Sequence, residues 1–190
     1  MLTAQKTFQM LDNETLWQTA LRVHATLSAR NVPHAIVGGV AVSLHGYRRN
    51  TVDVDVLIRT EDSHEVKAAL TAAGFTWDAG LNEFRGANGT QVHFLLAGER
   101  AGAGSVVRLP DPRDANAVEI AEGLPVLTLA RLVESKIAAG EGNLRRAHKD
   151  FADVVELAAI HRLDGSFARF LHRSVRKPFR ELVRRAQSGN

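Results

Sequence analysis

Apolar residues recur at Leu16, Ala20, Val23 and Leu27, a spacing that predicts a helix capped by Asp12 and running to about residue 30. Pro33 blocks its continuation. The apolar run 34–40 predicts a buried strand closing on Gly38 and Gly39, then a short helix over 41–45 stopped by Gly46. Residues 51–58 alternate strictly. Val52, Val54, Val56 and Ile58 are expected to be buried on one face, while Thr51, Asp53, Asp55 and Leu57 share the other. Asp62 or Ser63 opens a further helix that ends with Gly74 at its C′ position. Strands follow at 75–79 and 81–85, a hairpin turn at Asn88-Gly89, and a returning strand at 90–96.

After a loop at 98–104 and short strands at 118–120 and 124–127, the period becomes helical. Leu129, Leu132, Val133 and Ile137 form one stripe that stops near Gly140, a second long helix covers 144–162, and Pro178 starts a last one. This order predicts an α+β fold: a mixed sheet core with an N-terminal helix over 1–127, and a C-terminal helical region over 128–190, forming one compact unit.

Composition narrows the function classes. The chain has 190 residues, 45% hydrophobic and 24% charged, enough for one self-sufficient core. It has no cysteine, which excludes disulfides and thiolate zinc sites. His45, His148 and His161 show no zinc spacing either. Residues 1–10 lack the apolar stretch of a signal peptide, and no run approaches the ~20 apolar residues of a membrane span, so a cytoplasmic location is expected. The net charge of +3 is unevenly placed, because from Arg162 onward eight basic residues face two acidic ones. That tail is either a surface for a polyanion such as RNA or a solvated helix face. Aromatic residues are only 6%, which gives no support to a base-stacking platform. Trp17 and Trp77 read as core residues.

Asp53 and Asp55, at i and i+2 on a strand, project from one face beside a buried apolar row. Two such carboxylates repel each other unless a cation joins them, and Mg²⁺ suits an all-oxygen site. Gly38 and Gly39 allow close approach of backbone N–H groups to a phosphate at a helix start. Ser43 lies just beyond them, either near phosphate or as an ordinary residue of the helix start.

The segments Val-Gly-Gly-Val-Ala-Val-Ser-Leu-His-Gly (37–46) and Arg-Arg-Asn-Thr-Val-Asp-Val-Asp-Val-Leu-Ile (48–58) resemble the core signature of the DNA polymerase β-type nucleotidyltransferase superfamily. More narrowly they resemble the AbiEii/AbiGii-type proteins, several of which are toxins of toxin–antitoxin systems. Arg49, Thr51, Asp53 and Asp55 match the family's Arg-x-Thr-x-Asp-x-Asp strand. Lys136, and Lys149-Asp150, match its later helical motifs. The likeness spans about residues 35–157. It implies transfer of a nucleoside monophosphate from an NTP, with Gly38, Gly39, Arg49 and Thr51 at the nucleotide. It implies Mg²⁺, or Mn²⁺, on Asp53 and Asp55. Lys136 would then contact the triphosphate, and Asp150 would act near the nucleotide or acceptor. Without the resemblance, Lys136 reads as a surface residue and Asp150 as half of an ion pair.

One position departs from the pattern. Where the family places a third carboxylate, on the strand 90–96, this chain has His93, and alternation puts it on the face of Asp53 and Asp55. Three readings follow: a working general base, a protein that needs only two carboxylates, or a catalytically silent fold that binds nucleotide, RNA or a cognate toxin or antitoxin. An imidazole is a poor Mg²⁺ ligand and suits Mn²⁺ better.

Overall fold

The computed structural model describes residues 3–188. The elements are α1 (Ala4–Met10), α2 (Glu14–Ser28), β1 (His34–Val37), α3 (Gly38–Leu44), β2 (Asp53–Ile58), α4 (Ser63–Ala72), β3 (Thr76–Asp78), β4 (Glu83–Arg85) and β5 (Gln91–Leu96). They continue with β6 (Val118–Ala121), β7 (Leu124–Leu127), α5 (Leu129–Gly142), α6 (Leu144–Ile160) and α7 (Arg176–Ser188). The strands form one mixed seven-stranded sheet in the order β3-β4-β5-β2-β1-β7-β6. The predicted α+β class is the observed one.

The sheet is covered on both faces, and the residues of β2 show how. Val54, Val56 and Ile58 are buried on the face that carries α4. Asp53, Asp55 and Leu57 point to the other face, where α5 and α6 pack on each other and line the cleft that Asp55 enters. Leu57 shares the face of Asp53 and Asp55, as alternation predicts, and is fully buried at the far end of the strand. Val52 was expected in the core but is 72% exposed, since the strand begins one residue later.

Several local expectations are corrected. A first helix, α1, precedes the predicted one. Thr3 caps it by accepting from the Lys6 N–H at 3.2 Å, and Phe8 stacks on Trp17. Asp12 therefore caps nothing. It turns the corner into α2 with φ +53°, and Asn13 takes the N-cap position. The Asn13 amide donates across the chain to the Thr51 carbonyl at 2.6 Å, tying the α1–α2 corner to the start of β2. The helix after β1 starts at Gly38, so the strand ends at Val37, not at residue 40. Gly74 does sit at C′, with φ +85° and its N–H on the Thr71 carbonyl. Asp62 gives α4 no side-chain cap because Arg59 holds both its carboxylate oxygens.

At the chain's end, Phe179 and Val183 of α7 are buried, while Lys177, Arg180 and Arg185 face outward. Pro178 lies in the first turn of α7, where its missing N–H costs no helical bond. Among the described residues, no helix is long and apolar enough to cross a membrane.

Candidate metal and nucleotide site

Strand register assembles the site. β2 lies between β1 and β5, so Asp55 pairs with Val37 on one side and with His93 on the other. The chain turns immediately after Val37, which sets Gly38 against Asp55 and Gly39 against Thr51. A Cβ on Gly39 would lie 2.4 Å from Thr51 Oγ1. The glycine pair therefore answers first to the strand beside it: side chains at 38 and 39 would occupy the space of Asp55 and Thr51.

The acidic pair is braced. Thr51 donates its hydroxyl to Asp53 Oδ1 at 2.9 Å, which leaves Oδ2 turned toward His93. His93 Nδ1 lies 3.6 Å from Asp53 Oδ2 and 3.6 Å from Asp55 Oδ1. His93 thus shares the face of the two aspartates, as alternation predicts. Its other ring nitrogen, Nε2, lies 2.9 Å from Glu83 Oε2. Asp55 is the first cause that pushes the imidazole up to about 9, with Glu83 and Asp53 adding to it against partial burial.

Glu83 is a site residue that the sequence pattern did not reveal. It is 3% exposed and takes hydrogen bonds from Gln91 Nε2 at 2.9 and 3.2 Å. Arg85 adds an ion pair at 2.7 Å. Gln91, more than His93 and Arg85, holds the Glu83 carboxyl below its ordinary range. The signal was present as a charged residue on a three-residue strand with Phe84 facing the core, but only the pairing of Phe84 with Val92 carries Glu83 next to His93.

Across the cleft, Lys136 is buried rather than on the surface. Its ammonium lies 2.9 Å from Asp150 Oδ1 and 2.8 Å from Asp153 Oδ2. Arg49 grips Asp153 with two bonds, at 2.5 and 2.8 Å. Two cations and two anions thus balance, and Lys136 reaches the cleft with its charge already paired. Asp150 is fully buried and its Oδ2 has no hydrogen-bond partner; Arg146 approaches that oxygen only to 3.8 Å. Arg146 is the exposed cation on this wall, one helical turn before Asp150.

Gly38, Asp55, His93, Lys136, Asp150 and Arg146 line one cleft of about 290 Å³. Arg49 and Thr51 support its walls through Asp153 and Asp53. Ser43 is buried and donates to the Gly39 carbonyl at 3.3 Å, inside its own helix, so the hydroxyl is not offered to a phosphate.

No protein-family model matches the chain, and neither does any curated protein sequence. Its backbone matches solved structures. ANT(2″)-Ia, in complex with adenylyl-2″-tobramycin, aligns over 86% of this chain and 96% of its own at 15% identity, with a TM-score of 0.54. A Thermotoga maritima protein assigned as a nucleotidyltransferase aligns over 70% of this chain and 88% of its own, at 17% identity and TM-score 0.51. One from Helicobacter pylori covers 85% and 74%, at 15% identity and TM-score 0.55. This chain has the nucleotidyltransferase fold.

Proposed function

We propose that this protein transfers a nucleoside monophosphate from an NTP to an acceptor hydroxyl. The observation that carries the reading is the single cleft in which Asp55 and His93, with Asp53 beside them, face Lys136, Asp150 and Arg146 on that fold.

Asp53 and Asp55 would hold a divalent ion, Mg²⁺ or Mn²⁺. The residues fit it, since Asp53, Asp55 and His93 each offer one ligand atom and these atoms lie within 4.8 Å of one another. Thr51 fixes the orientation of Asp53. When bound, the ion would neutralise phosphate charge in an in-line displacement. The chain's own groups supply the rest. Gly38, without a side chain, lets the Asp55 carboxylate lie directly against the start of α3. Arg146, exposed on the opposite wall, takes the triphosphate contact that the family pattern assigns to Lys136. Lys136 instead holds Asp150 in place. Asp150, which lines the cleft, would act near the nucleotide or the attacking hydroxyl. In the balanced step the hydroxyl oxygen bonds the α-phosphorus, the bond to the bridging oxygen breaks, and pyrophosphate leaves.

The basic face of α7 favours RNA, tRNA in particular, as the acceptor. The likeness to AbiEii/AbiGii-type proteins extends the reading to a toxin–antitoxin component with a cognate partner protein. Incubation with each labelled NTP, a divalent ion and total tRNA tests the activity: label should pass to RNA and vanish in Asp53→Ala and Asp55→Ala. Transfer surviving both substitutions refutes the assignment.

A second reading has its own observation. An imidazolium at His93, between Asp53, Asp55 and Glu83, would fill the place of the ion, and the fold would then serve as a binding module. NTP binding that needs no divalent ion, with no turnover, would favour it.

A further inference from the structure

We propose that His93 is the third protein ligand of the ion on Asp53 and Asp55, that Glu83 is its positioning residue, and that the site prefers a nitrogen-accepting first-row ion such as Mn²⁺ to Mg²⁺. This rests on the reading of Asp53 and Asp55 as metal ligands.

One ligand atom of each residue converges on the same space. His93 Nδ1 is 3.6 Å from a carboxylate oxygen of each aspartate. Two cis ligand atoms of an octahedral ion, each at about 2.1 Å, lie about 3.0 Å apart, so the imidazole need move only about 0.6 Å toward the aspartates to share one ion with them. Two of the atoms that do not face this point are already engaged. Asp53 Oδ1 accepts from Thr51, and His93 Nε2 meets Glu83 at 2.9 Å.

That last contact decides the tautomer. Glu83 is ionised, held by Gln91 and Arg85, and can only accept. The proton of a neutral His93 must then sit on Nε2, which leaves the Nδ1 lone pair pointing at the aspartates. A carboxylate behind a ligating imidazole is the usual device for fixing ring orientation and raising ligand basicity. Glu83 is buried and bonded on both oxygens, so it is a rigid support.

The ion preference follows from the donor set. Mg²⁺ demands oxygen ligands in near-octahedral geometry and gives up water reluctantly. First-row transition ions take an imidazole nitrogen beside carboxylate oxygens more readily than Mg²⁺ does, and Mn²⁺ is the member of that series nearest to Mg²⁺ in its liking for oxygen. A third carboxylate would have suited Mg²⁺; a histidine aimed by a buried glutamate shifts the choice.

The test uses the full chain, Mn²⁺ as the spin probe and Mg²⁺ as competitor. Mn²⁺ affinity is read by electron paramagnetic resonance, and nitrogen ligation by ¹⁴N modulation of the bound ion's echo. The parent should show ¹⁴N coupling and bind Mn²⁺ more tightly than Mg²⁺. His93→Asp should abolish the coupling and move the ratio toward Mg²⁺. Glu83→Ala should weaken Mn²⁺ about 10- to 100-fold. Glu83→Gln, which keeps an oxygen for the Nε2–H and guards against a misfolded alanine variant, should fall between. Bound Mn²⁺ without ¹⁴N coupling, or coupling and affinity unchanged in both Glu83 variants, overturns the proposal while leaving the aspartates as ligands. Mn²⁺ affinity unchanged in Asp53→Ala and Asp55→Ala would instead overturn the metal reading itself.

Discussion

Asp55 occupies the space that a side chain on Gly38 would need: a Cβ built there falls 1.9 Å from Asp55 Oδ2. Gly38 also has φ +61°, where a non-glycine residue is strained by about 1–2 kcal/mol. Both effects act on Gly38→Ala. The strain lowers thermal stability, and the displaced carboxylate loses its aim at His93. The variant should unfold several degrees earlier and bind Mn²⁺ at least about tenfold more weakly, the cost of misplacing one ligand. Calorimetry and metal titration check the two parts separately. Metal affinity equal to the parent's would show that Asp55 is not a ligand.

Lys136 and Asp150 make the second prediction. Removing one member of a buried ion pair leaves the other charge unpaired and costs about 3–5 kcal/mol. Lys136→Met should show such a loss in urea unfolding, because Asp150 and Asp153 are both about 1% exposed in their side chains. Adding Asp150→Asn should recover part of it, since Arg49 still pairs Asp153. A single-variant loss below about 1 kcal/mol would mean that water screens the cluster as it does a surface pair.

His93 gives the metal-free protein a pH signature. Its pKa of about 9 stands above the ordinary value of 6.5, so protonation stabilises the fold. That contribution is complete below about pH 6.5 and is lost as pH rises through about 9. Burial pushes His34 and His45 down, so their effect has the opposite sign and falls on the acid side of the ordinary histidine range. Melting temperature in chelator should therefore decline across the alkaline window in the parent but stay flat in His93→Gln. A flat parent curve would show that the two aspartates do not hold the imidazolium.

How much of this was legible depended on the range of the interaction. The alternation of residues 51–58 placed Asp53 and Asp55 on one face because strand geometry has period two, while His93 joined them only through the family resemblance, which set its strand beside theirs. Glu83 was not legible: it reaches the site through the pairing of two antiparallel strands, and register is set by the packed sheet. Nor did periodicity show that Lys136, on the apolar stripe of α5, is buried against α6 with two aspartates as partners. Asp12 looked like a cap because α1 was missed, although Thr3 with Ala4, Thr7 and Phe8 carried a capped apolar face. Val52 is exposed and Leu57 buried because alternation says which residues share a face, and only the packing around the sheet says where along the strand each face is covered.

The basic tail provides the last prediction. Cutting the chain after Leu163 would remove Leu171, Val175, Phe179 and Val183, all buried, so truncation would test folding rather than binding. Charge removal is the cleaner probe. Arg173, Lys177, Arg180 and Arg185 are exposed, while the apolar stripe of α7 packs inward. Changing these four to Gln should leave the unfolding temperature within a few degrees of the parent, as exposed substitutions usually do. If the face binds RNA, each lost phosphate contact lowers the slope of log affinity against log salt by about 0.7 for single strands and about 0.9 for a duplex. Four contacts would flatten the slope for tRNA by about 3. A fluorescence anisotropy titration across salt concentrations measures it. A slope equal to the parent's would make the tail a solvated helix face, and the acceptor would then have to be sought among molecules that touch only the cleft of Asp55 and Asp150.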